Sequence, residues 1–215
     1  MLEKIPFLKK ILAKRKAKHF YKQSTIEGSN HIFGRSSGIS LQYGSKPTDI
    51  IIKDRVWIYG HLQSQYGGKI TMGKYTKIGN NTTIQCVNAV YIDEYTAIAD
   101  NVFISDNNNH PLNPDYRLYM RTTSENDEAR SWIHSANAPI HIGKNCWIGQ
   151  YVRIQKGVTI GDNSIIAANS IVTKDIPANC IAGGNPAKIL KTNIEIIEAP
   201  TTCKGYNEYK RRNNK

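Results

Sequence analysis

The chain has 215 residues, 40% of them apolar, and its 29 lysines and arginines against 17 acids give a formal net charge of +12. That length supports one domain with a core of its own. No apolar run approaches the about 18 residues of a membrane span, and the N-terminus has no apolar stretch followed by a small-residue cleavage site. Cys86, Cys146, Cys180 and Cys203 lack metal-type spacing, so reduced thiols, no metal and a cytoplasmic location are expected. The basic excess favours anionic partners. No recognition helix, finger or aromatic-basic ladder accompanies it, so nucleic acid is not the expected one.

Residues 1–24 read as a basic amphipathic helix, clearest from about Phe7. Leu8, Ile11 and Leu12 share one face, and Lys9, Lys10, Lys14, Arg15, Lys16, Lys18 and Lys22 crowd elsewhere. Two readings stand side by side. The helix caps whatever follows and keeps its lysines in water, or residues 1–22 rest on an anionic membrane surface.

From Ile32 a period of 20 appears in three series: Ile32, Ile52, Met72, Ile92; Ile58, Ile78, Ile98; and Ile50, Ile70, Val90. Each period reads as three hexads with two extra corner residues. His110 is the next member of the last series, a histidine where earlier turns carry an aliphatic. Residues 106–139 then break the pattern and form a protruding loop with Tyr116, Tyr119 and Trp132, and long loops of this kind are commonly functional.

Over residues 140–177 an aliphatic returns every 6 positions, at Ile142, Ile148, Ile154, Ile160, Ile166 and Val172. Small or β-branched residues follow four positions after each: Cys146, Val152, Val158, Ser164, Ser170 and Ile176. An α-helix at about 100° per residue would scatter these aliphatics around its axis. Short strands joined by tight corners bring them to one side, with Gly, Asn and Asp tolerating positive φ at the corners. Hexapeptide periodicity of this kind marks a parallel β-helix. The expected layout is therefore an all-β solenoid over 25–180 with 106–139 inserted, and a tail over 181–215 of short strand or helix with a basic end.

NNNHP, a loop, IGKNCWIGQ, VTIGDNSIIAANSIVTKDIP and GGNPAKILK follow one another in this order. The succession resembles the hexapeptide-repeat acyltransferases, in the branch of galactoside, maltose and polysaccharide O-acetyltransferases, across residues 92–191. The resemblance implies a left-handed β-helix, a homotrimer with active sites between subunits, and acetyl-coenzyme A as donor. It implies transfer to a hydroxyl of a sugar or a cell-surface polysaccharide precursor.

His110, followed by Pro111, matches that family's catalytic histidine, which as neutral imidazole takes the proton of the acceptor hydroxyl. Asp106 and Glu125 are both open as groups that orient it. Trp147 matches a tryptophan lining the donor channel, although Trp57 holds the same outward slot in an early coil. Ala168 matches a residue whose backbone meets pantetheine. Thr173, Lys174, Lys188 and Lys191 match positions around the nucleotide phosphates, where lysine serves as a point charge. Gln150 replaces a serine common in the galactoside branch, and its amide is also a donor. Asn109, Tyr116 and Trp132 are the acceptor-side candidates, with His134 and His141 structural or acceptor-lining. N-acetylation of a nucleotide-linked amino sugar or of an antibiotic is the alternative activity. A zinc carbonic anhydrase shares the fold, but the spacing of His134 and His141 departs from its ligand pattern. The same reading would leave the lysine set unexplained, and a non-catalytic structural β-helix is opposed by the HisPro loop and the cofactor-like tail.

Overall fold

The structure, a computed structural model, describes residues 4–213, with side chains from Ile11 onward. The chain winds as a left-handed parallel β-helix of three flat faces. The first face stacks Thr25–Ile26, Ile50–Ile52, Lys69–Met72, Ala89–Ile92, Ile140–Ile142 and Thr159–Ile160. The second stacks Ile32–Phe33, Trp57–Ile58, Lys77–Ile78, Ala97–Ile98, Trp147–Ile148, Ile165–Ile166 and Ile181–Gly184. The third stacks Gly38–Gln42, His61–Gln65, Thr83–Cys86, Phe103–Ser105, Arg153–Ile154 and Ile171–Val172. The parallel stack thus continues past residue 180, and Ala187–Lys191 folds back antiparallel on its last strand.

The two-residue strands send one side chain inward, and strands such as Ile50–Ile52 and Lys69–Met72 send two. Ile58, Ile78, Ile98, Ile148, Ile166 and Ala182 form one such interior column, all buried. Full burial of one isoleucine contributes about 1.5–3 kcal/mol, so the column is a continuous source of stability along the axis. The small residues expected between hexad aliphatics, Cys146, Val152, Val158, Ser164, Ser170 and Ile176, are buried too.

The early coils differ from the expected period in one respect. Ile52 is preceded in its column by Ile26, while Ile32 pairs with Trp57 on the second face and is 41% exposed. The first coil is longer than 20 residues, mainly because the corner after Gly38–Gln42 takes in a 3₁₀ turn over Pro47–Asp49. The spacing of Ile32 from Ile52 is a coincidence of number.

The corners bear out the expectation for asparagine and for glycines such as Gly44, Gly67 and Gly157, and add tyrosines in place of aspartates. Positive φ falls on fifteen non-glycine residues, nine of them asparagines and five tyrosines, with Arg55 the last. Asparagine suits αL because its short amide bonds locally. Here the amides also bond up the stack, Asn145 to Asn163 at 3.0 Å and Asn163 to Asn179 at 2.8 Å. Gly143 and Gly161 are not in that conformation. A β-carbon at Gly143 would lie 2.3 Å from Asp162 Oδ1, and one at Gly161 would lie 2.4 Å from the Ala178 nitrogen. These glycines exist for close approach of the next coil.

Helix α1 (Lys4–Gln23) closes the open end of the first coil. Phe20 is wholly buried and stacks on Phe33 with centroids 4.1 Å apart. His19 Nε2 accepts from the Ile39 backbone N–H at 3.2 Å, and Ser24 Oγ donates to the Phe20 carbonyl at 2.7 Å. Leu12, expected on the docking face, is instead 41% exposed. The side chains of Phe7, Leu8, Lys9 and Lys10 lie outside the described residues.

Candidate active site

His110 does not continue the Ile50, Ile70, Val90 column. Val90 pairs with Ile140, so the column skips the insertion entirely. The chain leaves the coil after Phe103–Ser105 on the third face and re-enters at Ile140–Ile142 on the first. A neck closes this exit. Asn107 and Asn137 form an antiparallel bridge, Asn108 N–H donates to the Ala136 carbonyl at 3.0 Å, and Ala138 N–H donates to the Asp106 carbonyl at 2.9 Å.

Asp106 anchors the neck. Its side chain is fully buried and accepts from the backbone N–H groups of Val87 at 3.0 Å and Asn88 at 2.7 Å. It also accepts from the Asn107 amide at 3.0 Å and the Cys86 thiol at 3.2 Å. Burial, and then the carboxylate beside it, push the Cys86 thiol far up, so it stays protonated. All these bonds point into the corner, so Asp106 does not orient His110. Glu125 is exposed in the insertion and makes no hydrogen bond to His110.

His110 follows the neck directly. Its backbone N–H donates to the Asn108 carbonyl at 2.8 Å, and Asn109, at φ +67°, donates its N–H to Asn107 Oδ1 at 2.9 Å. The ring is half-buried, and its Nδ1 is enclosed without a hydrogen-bond partner. The beginning of the insertion is thus held by backbone and Asx bonds, while one ring nitrogen is left unsatisfied.

The rest of the insertion folds back down the same edge. Helix α2 (Pro114–Thr122) starts on Asn113, whose Oδ1 accepts from the Tyr116 N–H at 2.8 Å, with Pro at its first position. Tyr116 lies against His134, centroids 5.7 Å apart. Trp132 N–H donates to Gln65 Oε1 at 3.2 Å, and Ser131 Oγ donates to the Tyr66 hydroxyl at 3.3 Å, which tie the insertion to an earlier coil. Tyr116 and His134 therefore belong to the folded part of the insertion, and Trp132 is tied to Gln65 on the coil rather than to Asn109 or His110. His141 does not join them. It is exposed on the first face, its Nε2 2.9 Å from Asp93 Oδ2.

The donor-side residues divide between two places. Trp147, 58% exposed, and Gln150 line a hollow of about 260 Å³ on the second face, together with Lys77, Ala97 and Asp100. Ala168 stands exposed one coil above Gly149, and Lys188 and Lys191 lie on the antiparallel strand of that same face. Thr173 and Lys174 follow Ile171–Val172 and occupy the edge that carries the insertion, two coils above it. Among the described residues Lys174, Lys188 and Lys191 have no ion-pair partner, which suits phosphate groups. Lys77 and Ala97 were not singled out in the sequence, although Trp57, Lys77, Ala97 and Trp147 share one register.

Residues 139–174 match a family model described as bacterial transferase hexapeptide (six repeats). The galactoside O-acetyltransferase of Escherichia coli (strain K12) is 38% identical over 146 residues, 65% of this chain, and the chain spans only 62% of that relative's length. Among solved structures, the polySia specific acetyltransferase NeuO superposes with TM-score 0.55 at 26% identity, over 88% of this chain and 97% of that one. A galactoside acetyltransferase in complex with coenzyme A superposes with TM-score 0.51 at 28% identity, over 90% of this chain and 84% of that one.

Proposed function

We propose that this chain, which belongs to the hexapeptide-repeat transferase family, moves an acetyl group from acetyl-coenzyme A to a hydroxyl of a sugar or of a cell-surface polysaccharide precursor. The observation that carries the reading is His110 beside the insertion neck, its ring half-buried and its Nδ1 enclosed without a partner. A neutral imidazole there accepts the hydroxyl proton as the acceptor oxygen attacks the thioester carbon. The new C–O bond forms, the C–S bond breaks, and the proton passes from His110 to the departing thiolate.

The donor fits residues of this chain. Trp147 offers an apolar wall, the Ala168 backbone offers hydrogen-bonding groups, and Thr173, Lys174, Lys188 and Lys191 offer charge and hydroxyl to phosphates. The Gln150 amide supplies an N–H donor for charge on the thioester oxygen. Asn109, Tyr116 and Trp132 line the acceptor side. The His110 edge and the Trp147 face lie apart on one triangular prism, so a homotrimer supplies the second wall of a cleft.

The lysines of α1 give the enzyme a peripheral hold on the anionic inner face of a membrane, where lipid-linked acceptors are assembled. Lys14, Lys18 and Lys22 are exposed and open to such a surface, while Phe20 is buried in the cap. No helix of the described residues is long and apolar enough to cross a membrane. Release of free thiol from acetyl-coenzyme A, measured against a panel of neutral, acidic and amino sugars, tests the reading. Hydroxyl acetylation supports it, and acetylation of amino sugars alone moves the chain to N-acetyl transfer.

A further inference from the structure

The outward column of the second face runs Ile32, Trp57, Lys77, Ala97, Trp147 in register. Two hollows open on it. The upper one, about 260 Å³, holds Trp147 and Gln150. The lower one, about 540 Å³, is lined by Ile32, Arg55, Trp57, Tyr75 and Lys77 with Asn30 and Thr76, and has no acid in its wall. Lys77 lines both, so they form one trough.

The chemistry of the lower part is specific. Trp57 and Tyr75 are 42% and 44% exposed, and Tyr75 is held in place by stacking on Tyr95. Lys77 Nζ lies 6.0 Å from the Trp57 centroid, and the Arg55 guanidinium lies 5.4 Å from that of Tyr75. Lys77 has no carboxylate partner among the described residues, and Arg55 meets only Asp54, at 3.4 Å. Asp100, on the upper wall, is engaged at its corner, accepting from the Asn80 N–H at 2.6 Å. Ala97 keeps the floor low between Lys77 and Trp147.

The geometry points to an anionic saccharide chain bound along this trough, a pyranose ring on Trp57 and its carboxylate or phosphate against Lys77 and Arg55. A sugar ring presents an apolar C–H face to an aromatic platform and an acid to the cations beside it. Three rungs at about 4.8 Å separate Trp57 from Trp147, so the trough takes a short run of sugars leading toward the donor hollow. A nucleic acid would call for a broader set of cations than these two. That the saccharide is the acetyl acceptor rests on the transferase reading, whereas its binding does not.

Isothermal titration of the full chain, without acetyl-coenzyme A, separates the two. The probes are a five-residue galacturonate oligomer and maltopentaose as its neutral counterpart. The acidic oligomer is expected to bind at low salt, to weaken as salt rises, and to bind more tightly than maltopentaose. Trp57→Ala and Lys77→Gln are each expected to weaken it on the order of tenfold. Equal affinity for both sugars, or unchanged affinity in both variants, overturns the proposal. So does dissociation of the oligomer by Trp57→Ala in light scattering, which would make this face a contact between copies. Should Trp57→Ala misfold, unaltered binding by Lys77→Gln alone overturns it. Tight binding of the acid oligomer with no acetyl transfer to any sugar would leave the trough standing and remove the enzyme reading instead.

Discussion

Gly149 lies directly under the backbone of Ala168, and a β-carbon on it would stand 2.6 Å from the Ala168 nitrogen. The contact is with backbone, so no side-chain rotation relieves it. Gly149→Ala is therefore expected to lower stability by about 1–3 kcal/mol, the usual cost of forcing extra volume into a packed site. It should also raise the KM for acetyl-coenzyme A, because it displaces the backbone assigned to pantetheine. Urea unfolding and steady-state kinetics on one preparation check both, and an unchanged midpoint contradicts the close approach.

His110→Ala is expected to lower kcat by about 10²–10⁴-fold, the range for loss of a general base. Folding should be spared, because the neck bonds come from Asp106, Asn107 and backbone rather than from the imidazole. Near-normal turnover in the variant removes His110 from the mechanism.

Lys174→Glu or Lys188→Glu is expected to raise the KM for acetyl-coenzyme A on the order of tenfold while barely moving the acceptor KM. Equal effects on both substrates would make these lysines solvated surface charge.

Phe20→Ala is expected to cost about 3–5 kcal/mol, as for other buried phenylalanines. A truncation to Gln23 would remove this cap and confuse folding with membrane binding. Lys14→Glu, Lys18→Glu and Lys22→Glu together leave Phe20 in place. Full-length protein should sediment with anionic vesicles at low salt and be released at high salt, and the triple variant should stay in solution. Sedimentation of the variant as well would end the membrane reading.

The active species should be a trimer by light scattering, because His110 and Trp147 stand on different parts of one prism. A monomer with full activity would break this expectation.

Much of the solenoid is legible in the aliphatics from Ile142 to Val172, since each inward slot demands the same shape and repeats without interruption. Periodicity misleads where the coil length changes. Ile32 and His110 fall on the arithmetic series, yet one belongs to another face and the other to an insertion. The insertion 106–139 is itself legible as the stretch where the aliphatics stop, and the error lies only in carrying the count across it to His110. The histidine is readable from its Pro111 neighbourhood, but Asp106 is readable only once Val87 and Asn88 are known to lie beneath it. Phe20 was hidden for a similar reason: its partner Phe33 comes from the coil, and no helical period announces it. The corner tyrosines Tyr75 and Tyr95, stacked at 5.2 Å, compensate for an unfavourable αL backbone through contacts formed only after the coils stack.

The paired ends of the insertion make it a cassette. Asn107 and Asn137 hold its two ends side by side, and the coil above is bonded to Ala138 through the Gly157 N–H at 3.1 Å, as if the insertion were absent. Between His110 and the anchors at Ser131 and Trp132 the chain can lengthen or shorten without shifting the register of the rungs above or below. The candidate residues Tyr116 and Trp132 can thus change, through evolution or by loop grafting, without disturbing the rungs, whereas a change at Trp57 or Lys77 is made on the coil itself.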